Sequence, residues 1–124
     1  MKRIILTSII FFGLLVGCKE DEVLNFIPGT YVRSVKNEFS VGRDTLVIIK
    51  ESTNFFSIIH QGIYQRIYHG KVSPVRSFSE KWSASYDKGK QILIEARKGK
   101  IFSFNTSDNS LFLGTSRYNK ISGK

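Results

Sequence analysis

From Phe26 onward, short runs of β-branched and aromatic residues alternate with clusters of Gly, Asp, Asn and Lys. They recur at intervals of about 8–12 residues, the spacing of short strands and their turns. Thr30–Val35 opens the series and Glu38–Val41 follows, with Gly42-Arg43-Asp44 as a turn into the apolar run Thr45–Ile49. Asn54–His60 and Ile63–Tyr68 form two further runs around Gln61-Gly62, and His69-Gly70-Lys71 with Pro74 breaks the pattern. The clearest alternation is Lys81–Tyr86, where Trp82, Ala84 and Tyr86 share one face and Lys81, Ser83 and Ser85 the other. Asp87–Lys90 reads as a hairpin turn into Gln91–Ala96, and Lys98-Gly99-Lys100 as a turn into Ile101–Phe104. Asn105–Asn109 turns into Leu111–Leu113, and Tyr118–Ile121 closes the series. No window after Cys18 carries a helical stripe with caps. The expectation is an all-β chain. The short links favour a small antiparallel up-and-down barrel or meander of about eight strands, because closure removes exposed edges.

The first residues follow a different rule. Met1-Lys2-Arg3 is basic, and Ile4–Val16 is apolar except for Thr7, Ser8 and Gly13. Such a stretch is short for a membrane span and fits the apolar region of a secretion signal. It ends in Leu15-Val16-Gly17-Cys18, which resembles the lipobox of bacterial lipoproteins. The resemblance implies cleavage before Cys18, covalent lipid on its thiol, and anchoring to a bilayer without spanning it. Lys19-Glu20-Asp21-Glu22 is similar to the surface-export signal of Bacteroidota lipoproteins. It implies an outer-membrane address with display at the cell surface. The expected organisation is therefore a signal peptide over 1–17, a lipidated flexible tether over 18–25, and one domain over 26–124.

The opening Pro28-Gly29-Thr30-Tyr31 and closing Leu113-Gly114-Thr115 with Tyr118–Ile121 resemble the ends of lipocalin-like bacterial domains. There, a Gly-Thr-aromatic strand starts a barrel and a final strand pairs back onto it. These motifs are two or three residues long and transfer no ligand-binding residues.

Chemistry-bearing constellations are sparse. Cys18 is the single cysteine, so a domain without it has no internal disulfide and no thiolate metal site. His60 and His69 are the two histidines, and neither stands in an HxH or HExxH spacing. The acids Asp44, Asp87 and Asp108 fall in turns, without the paired placement of a glycosidase. Neither a GxSxG elbow nor a GxxxxGK[ST] phosphate loop occurs. This points away from an enzyme and requires no cofactor beyond the covalent lipid.

The charge points to binding. The chain has a net charge of +9, and the part from Phe26 onward holds sixteen Lys and Arg against seven Asp and Glu. Such a field favours acidic glycans, anionic envelope components or acidic proteins. The basic residues are scattered rather than massed in a tract, which makes nucleic acid a poor candidate. Ten Phe, five Tyr and one Trp supply the core. Phe39, Phe55 and Phe104 are expected fillers, and Trp82 the expected centre. Alternation places Tyr64, Arg66 and Tyr68 on one strand face, a candidate surface for a sugar or an anionic group. Two readings follow: a binding module for a small amphiphile, glycan or anionic envelope component, or an accessory subunit or inhibitor that turns a basic face to an acidic protein. A filled barrel interior favours the second.

Overall fold

The protein is described here by a computed structural model covering residues 21–122. The chain begins with a short helix, α1 (Glu22–Phe26), followed by β1 (Gly29–Lys36), β2 (Ser40–Lys50) and β3 (Phe55–Tyr68). It continues through β4 (Lys71–Val72), β5 (Arg76–Asp87), β6 (Ile92–Glu95), β7 (Ile101–Asn105), β8 (Ser110–Leu113) and β9 (Ser116–Ser122). Every pairing is antiparallel. Apart from the two-residue β4, the strands follow one another round the sheet, and β9 pairs back onto β1. The result is a closed eight-stranded up-and-down barrel, as the strand rhythm predicts.

The alternation of each strand fills the interior. Tyr31, Leu46, Phe56, Phe102, Leu93 and Leu111 are all fully buried. Trp82, Ala84 and Tyr86 point inward as their spacing requires, with Trp82 only 8% exposed. Two expected core residues lie outside. Phe39 is 74% exposed in the β1–β2 turn, where the Asn37 side chain accepts from the Phe39 and Ser40 amides. Phe55 is 60% exposed because the inward parity of β3 belongs to its neighbour, Phe56. Phe104, on the same parity as the buried Phe102, is half-buried and packs against the core beside Phe26 and Tyr31.

Two of the expected turns are strand interior. β2 runs unbroken through Gly42-Arg43-Asp44, and β3 runs unbroken through Gln61-Gly62. Both glycines serve close approach rather than chain reversal. A Cβ on Gly42 would lie 2.9 Å from the Cβ of Tyr64, and one on Gly62 would run into the ring of Phe78. The Phe78 ring thus covers the bare backbone of the strand beside it.

The expected tether ends earlier than Asn25. Asp21 caps α1 by accepting from the Leu24 amide at 3.1 Å, and Glu22 stands in the first turn, where the helix favours acids. Pro28, which has no N–H to donate, follows the helix closely. Val23, Leu24 and Phe26 pack against the core, and Ile27 is fully buried. The Tyr31 hydroxyl donates to the carbonyls of Ile27 at 2.8 Å and Phe26 at 3.1 Å. Phe26 meets Tyr31 and Phe104 edge-on, and the Lys120 ammonium lies over the Phe26 ring and donates to its carbonyl. A helix this short is not stable alone, so packing holds it against the barrel. It closes one end.

Candidate functional site

The other end is open, because strand lengths are unequal. β2, β3 and β5 have 11, 14 and 12 residues, whereas β6, β7 and β8 have 4, 5 and 4. β6 pairs with β5 only over Ala84–Asp87, and β9 pairs with β1 only over Thr30–Val32. Beyond those points β1, β2, β3 and β5 continue as a curved sheet that projects past the rest of the barrel. In this overhang the inward parity of β3 passes from Phe56 and Ile58 through His60 and Gly62 to Tyr64 and Arg66.

The floor of the overhang is a polar cluster set on aromatic rings. His60 Nδ1 lies 3.1 Å from Glu80 Oε1, and its ring sits between Phe78 and Trp82 with centroids 5.0 and 4.8 Å away. Among the described residues, His60 Nε2 is buried without a hydrogen-bond partner, and it lies 3.9 Å from Asp44 Oδ1. Asp44 is also 3.9 Å from the Arg33 guanidinium and accepts from the Tyr118 hydroxyl at 3.4 Å. Burial, with Asp44 beside it, pushes that hydroxyl up to about 12. Lys100 stands 3.9 Å over the Trp82 ring. Every charge in the floor faces an opposite charge or a ring. The arrangement closes the barrel beneath the mouth.

Above the floor the charges are less balanced. The overhang segments Arg33–Asp44 and Gly62–Glu80 carry Arg33, Lys36, Arg43, Arg66, Lys71 and Arg76 against Glu38, Asp44 and Glu80. Among the described residues, the guanidinia of Arg66 and Arg76 have no carboxylate within ion-pair distance. Arg76 lies opposite Tyr64, on the inner face. A concavity of about 330 Å³ on that face is bounded by Arg33, Gly42, Asp44, Tyr64 and Phe78. On the outer face a depression of about 540 Å³ lies along Arg43, Gln61, Ile63, Ser77 and Ser79.

The residues singled out from the sequence divide. Tyr64 and Arg66 lie on the inner face, with Tyr64 half-buried and 6.5 Å from Phe78. Tyr68 shares their parity but stands at the tip, 74% exposed, with its ring 4.1 Å from His69. Arg33, Arg76, Phe78 and the Asp44 and Glu80 partners of His60 come from other strands. Only the register between strands brings them beside Tyr64, so spacing within one run does not reveal them. Cys18, Lys19 and Glu20 lie outside the described residues, as does the signal segment. Asp21 and Glu22, placed in the export motif, belong to the cap and first turn of α1. Among the described residues, no group of His, Cys, Asp and Glu is placed to hold a metal ion. No family model, curated protein or solved structure matches the chain.

Proposed function

We propose that this chain is a non-enzymatic envelope lipoprotein, lipidated at Cys18 and carried to the outer membrane, whose barrel binds an anionic partner through the overhang. The observation that carries the binding reading is the unbalanced cation set of the overhang above a filled lumen. With Tyr31, Phe56, Phe102, Leu46, Leu93 and Leu111 occupying the interior, an acyl chain has no room inside the barrel. A ligand therefore engages the rim rather than the lumen. This favours an acidic interaction partner or an anionic envelope component over a carried amphiphile. Tyr64, Arg66 and Arg76 supply a ring and two guanidinia on one concave face. Arg is suited to this work because its planar fork matches carboxylate, sulfate and phosphate.

The binding test uses dextran sulfate as a defined polyanion. Arg66→Ala with Arg76→Ala weakens binding about tenfold or more at low salt, for the loss of two charge-assisted contacts. The melting temperature stays within a few degrees, since both side chains are exposed. Unchanged affinity sinks the overhang as the binding surface. For the address, Cys18→Ser abolishes incorporation of labelled palmitate and releases the chain from membranes. Protease treatment of intact cells then removes the domain if it faces outward, and full protection refutes surface display.

A further inference from the structure

The overhang leaves a strand edge uncovered. β5 pairs with β3 over Arg76–Ser85, but β6 meets its other side only from Ala84. The direction of its main-chain groups follows from two hydrogen bonds. The Tyr86 amide donates to Asn54 O, on the β3 side, and Ser83 O accepts from the Ala96 amide, on the β6 side. In an antiparallel strand the N–H and C=O of one residue point the same way, and the direction alternates along the chain. The register is unbroken over Arg76–Asp87, so Ser77, Ser79 and Lys81 turn both groups toward the missing neighbour. Among the described residues no donor or acceptor meets them there. All three residues are exposed.

An edge of this kind is a template for another strand. Proteins that do not use such an edge blunt it with Pro, a bulge, a very short strand, Lys or an inward-pointing charge. Ser77–Lys81 has no Pro and its register with β3 has no bulge, but Lys81 and the inward Arg76 and Glu80 charge it, so it admits only a strand that matches those charges. The flanks are basic except for Glu80, which faces inward with its Oε1 3.1 Å from His60 Nδ1. Arg76 precedes the edge, Lys81 ends it, and Lys98 and Lys100 stand in the loop that leads from β6 to β7 on the same side. The chain's net charge of +9 opposes a second copy of itself in that position.

We propose that the Ser77–Lys81 edge of β5 receives an extended acidic segment of a partner protein, which adds as an antiparallel strand in the gap between β5 and the end of β6. Three main-chain positions supply the affinity, and acidic side chains on the two faces of the added strand meet Arg76 on the inner side and Lys81 on the outer side. This rests on the reading of the overhang as an anion-binding surface and specifies how it binds.

The experiment uses the full chain, extracted from membranes in detergent. The probe is a ten-residue peptide of paired glutamates and paired valines in turn, which puts glutamate on both faces of an extended strand. Hydrogen exchange followed by mass spectrometry reads the segment spanning Ser77–Lys81, and calorimetry reads affinity. The expected result is about tenfold slower exchange there, lost when alternate peptide nitrogens are methylated. Ser79→Pro removes a donor on the open side only and weakens the peptide about tenfold. If Ser79→Pro fails to fold, Lys81→Glu gives the same weakening through charge. Equal binding of the peptide and its N-methylated form overturns strand addition. So does binding of dextran sulfate without binding of the peptide, while the anion-binding overhang survives both results. Failure of peptide and dextran sulfate alike overturns both. Protection of Ser77–Lys81 that grows with protein concentration alone identifies a second copy as the occupant and refutes the acidic partner.

Discussion

Replacing Asp21 with alanine tests whether the domain begins in the segment where an export motif and a tether are expected. Three interactions converge on this carboxylate. Oδ1 accepts from the Leu24 amide at 3.1 Å and from Gln91 at 3.5 Å, and Oδ2 accepts from the Tyr86 hydroxyl at 2.9 Å. Loss of an N-cap of this type costs about 1 kcal/mol. The Tyr86 bond is charge-assisted and worth roughly 1–2 kcal/mol, at the low end of its class because the carboxylate is half open to water. The long Gln91 contact adds little. Allowing for overlap between shared oxygens, Asp21→Ala costs about 2 kcal/mol, which lowers the melting temperature of a domain this size by roughly 8–16 °C. Asp21→Asn keeps the cap oxygen and loses the charge, so about half of that loss is expected.

The pH dependence has a fixed sign. The Leu24 amide, then Tyr86 and Gln91, hold the Asp21 carboxyl below its usual range against the opposing effect of burial. A carboxyl lowered in the folded state contributes fully above the ordinary aspartate value. That contribution is lost as pH falls through the lowered value. The difference between the parent chain and Asp21→Asn is therefore present at pH 6 and shrinks below about pH 4. Thermal and urea unfolding followed by circular dichroism measure both effects. A change below about 0.3 kcal/mol for Asp21→Ala refutes the docking of α1 and returns residues 21–26 to the tether.

Three further outcomes follow from the packing. Tyr31→Phe leaves the Ile27 carbonyl without its donor in a fully buried site and costs about 1–3 kcal/mol in urea unfolding. Gly62→Ala pushes the Phe78 ring off the strand, costing about 1–2 kcal/mol because that half-exposed ring can swing outward. Its signature is altered ring-current shifts at His60, and unchanged shifts contradict the close approach. Glu95 accepts from the Arg97 and Lys98 amides, which hold its carboxyl below the usual range. Glu95→Ala lowers the melting temperature at pH 6, and the deficit narrows as pH falls toward 3 because the parent loses the same contribution.

The barrel was legible from the sequence because each strand with one buried face announces it by alternation, and Trp82-Ala84-Tyr86 is the plainest instance. What the sequence hides is a matter of partners. Gly42 and Gly62 look like turn residues within their own runs, and only Tyr64 and Phe78 on adjacent strands reveal why side chains are excluded there. Phe55 and Phe56 are equivalent by composition, and a one-residue choice of register sends one inside and the other into water. The helix α1 escapes detection because it is too short to show a stripe and is held by tertiary contacts. Tyr64 and Arg66 could be paired from strand spacing alone. Arg76 could not, since it reaches the same face only through the alignment of β3 with β5.

The helical plug at the closed end also fixes a standoff. With lipid on Cys18 as proposed, three residues lead to Asp21, a leash of at most about 10 Å. β3, with 14 residues rising about 3.4 Å each, runs toward the opposite end. At the usual barrel tilt that is roughly 35 Å of height above the plug. An upright barrel then carries its guanidinia several Debye lengths above the anionic head groups beside the anchor, since that length is about 8 Å in physiological salt. On that proposal the lipids around the anchor would not compete for the rim, which would meet partners presented away from the membrane surface.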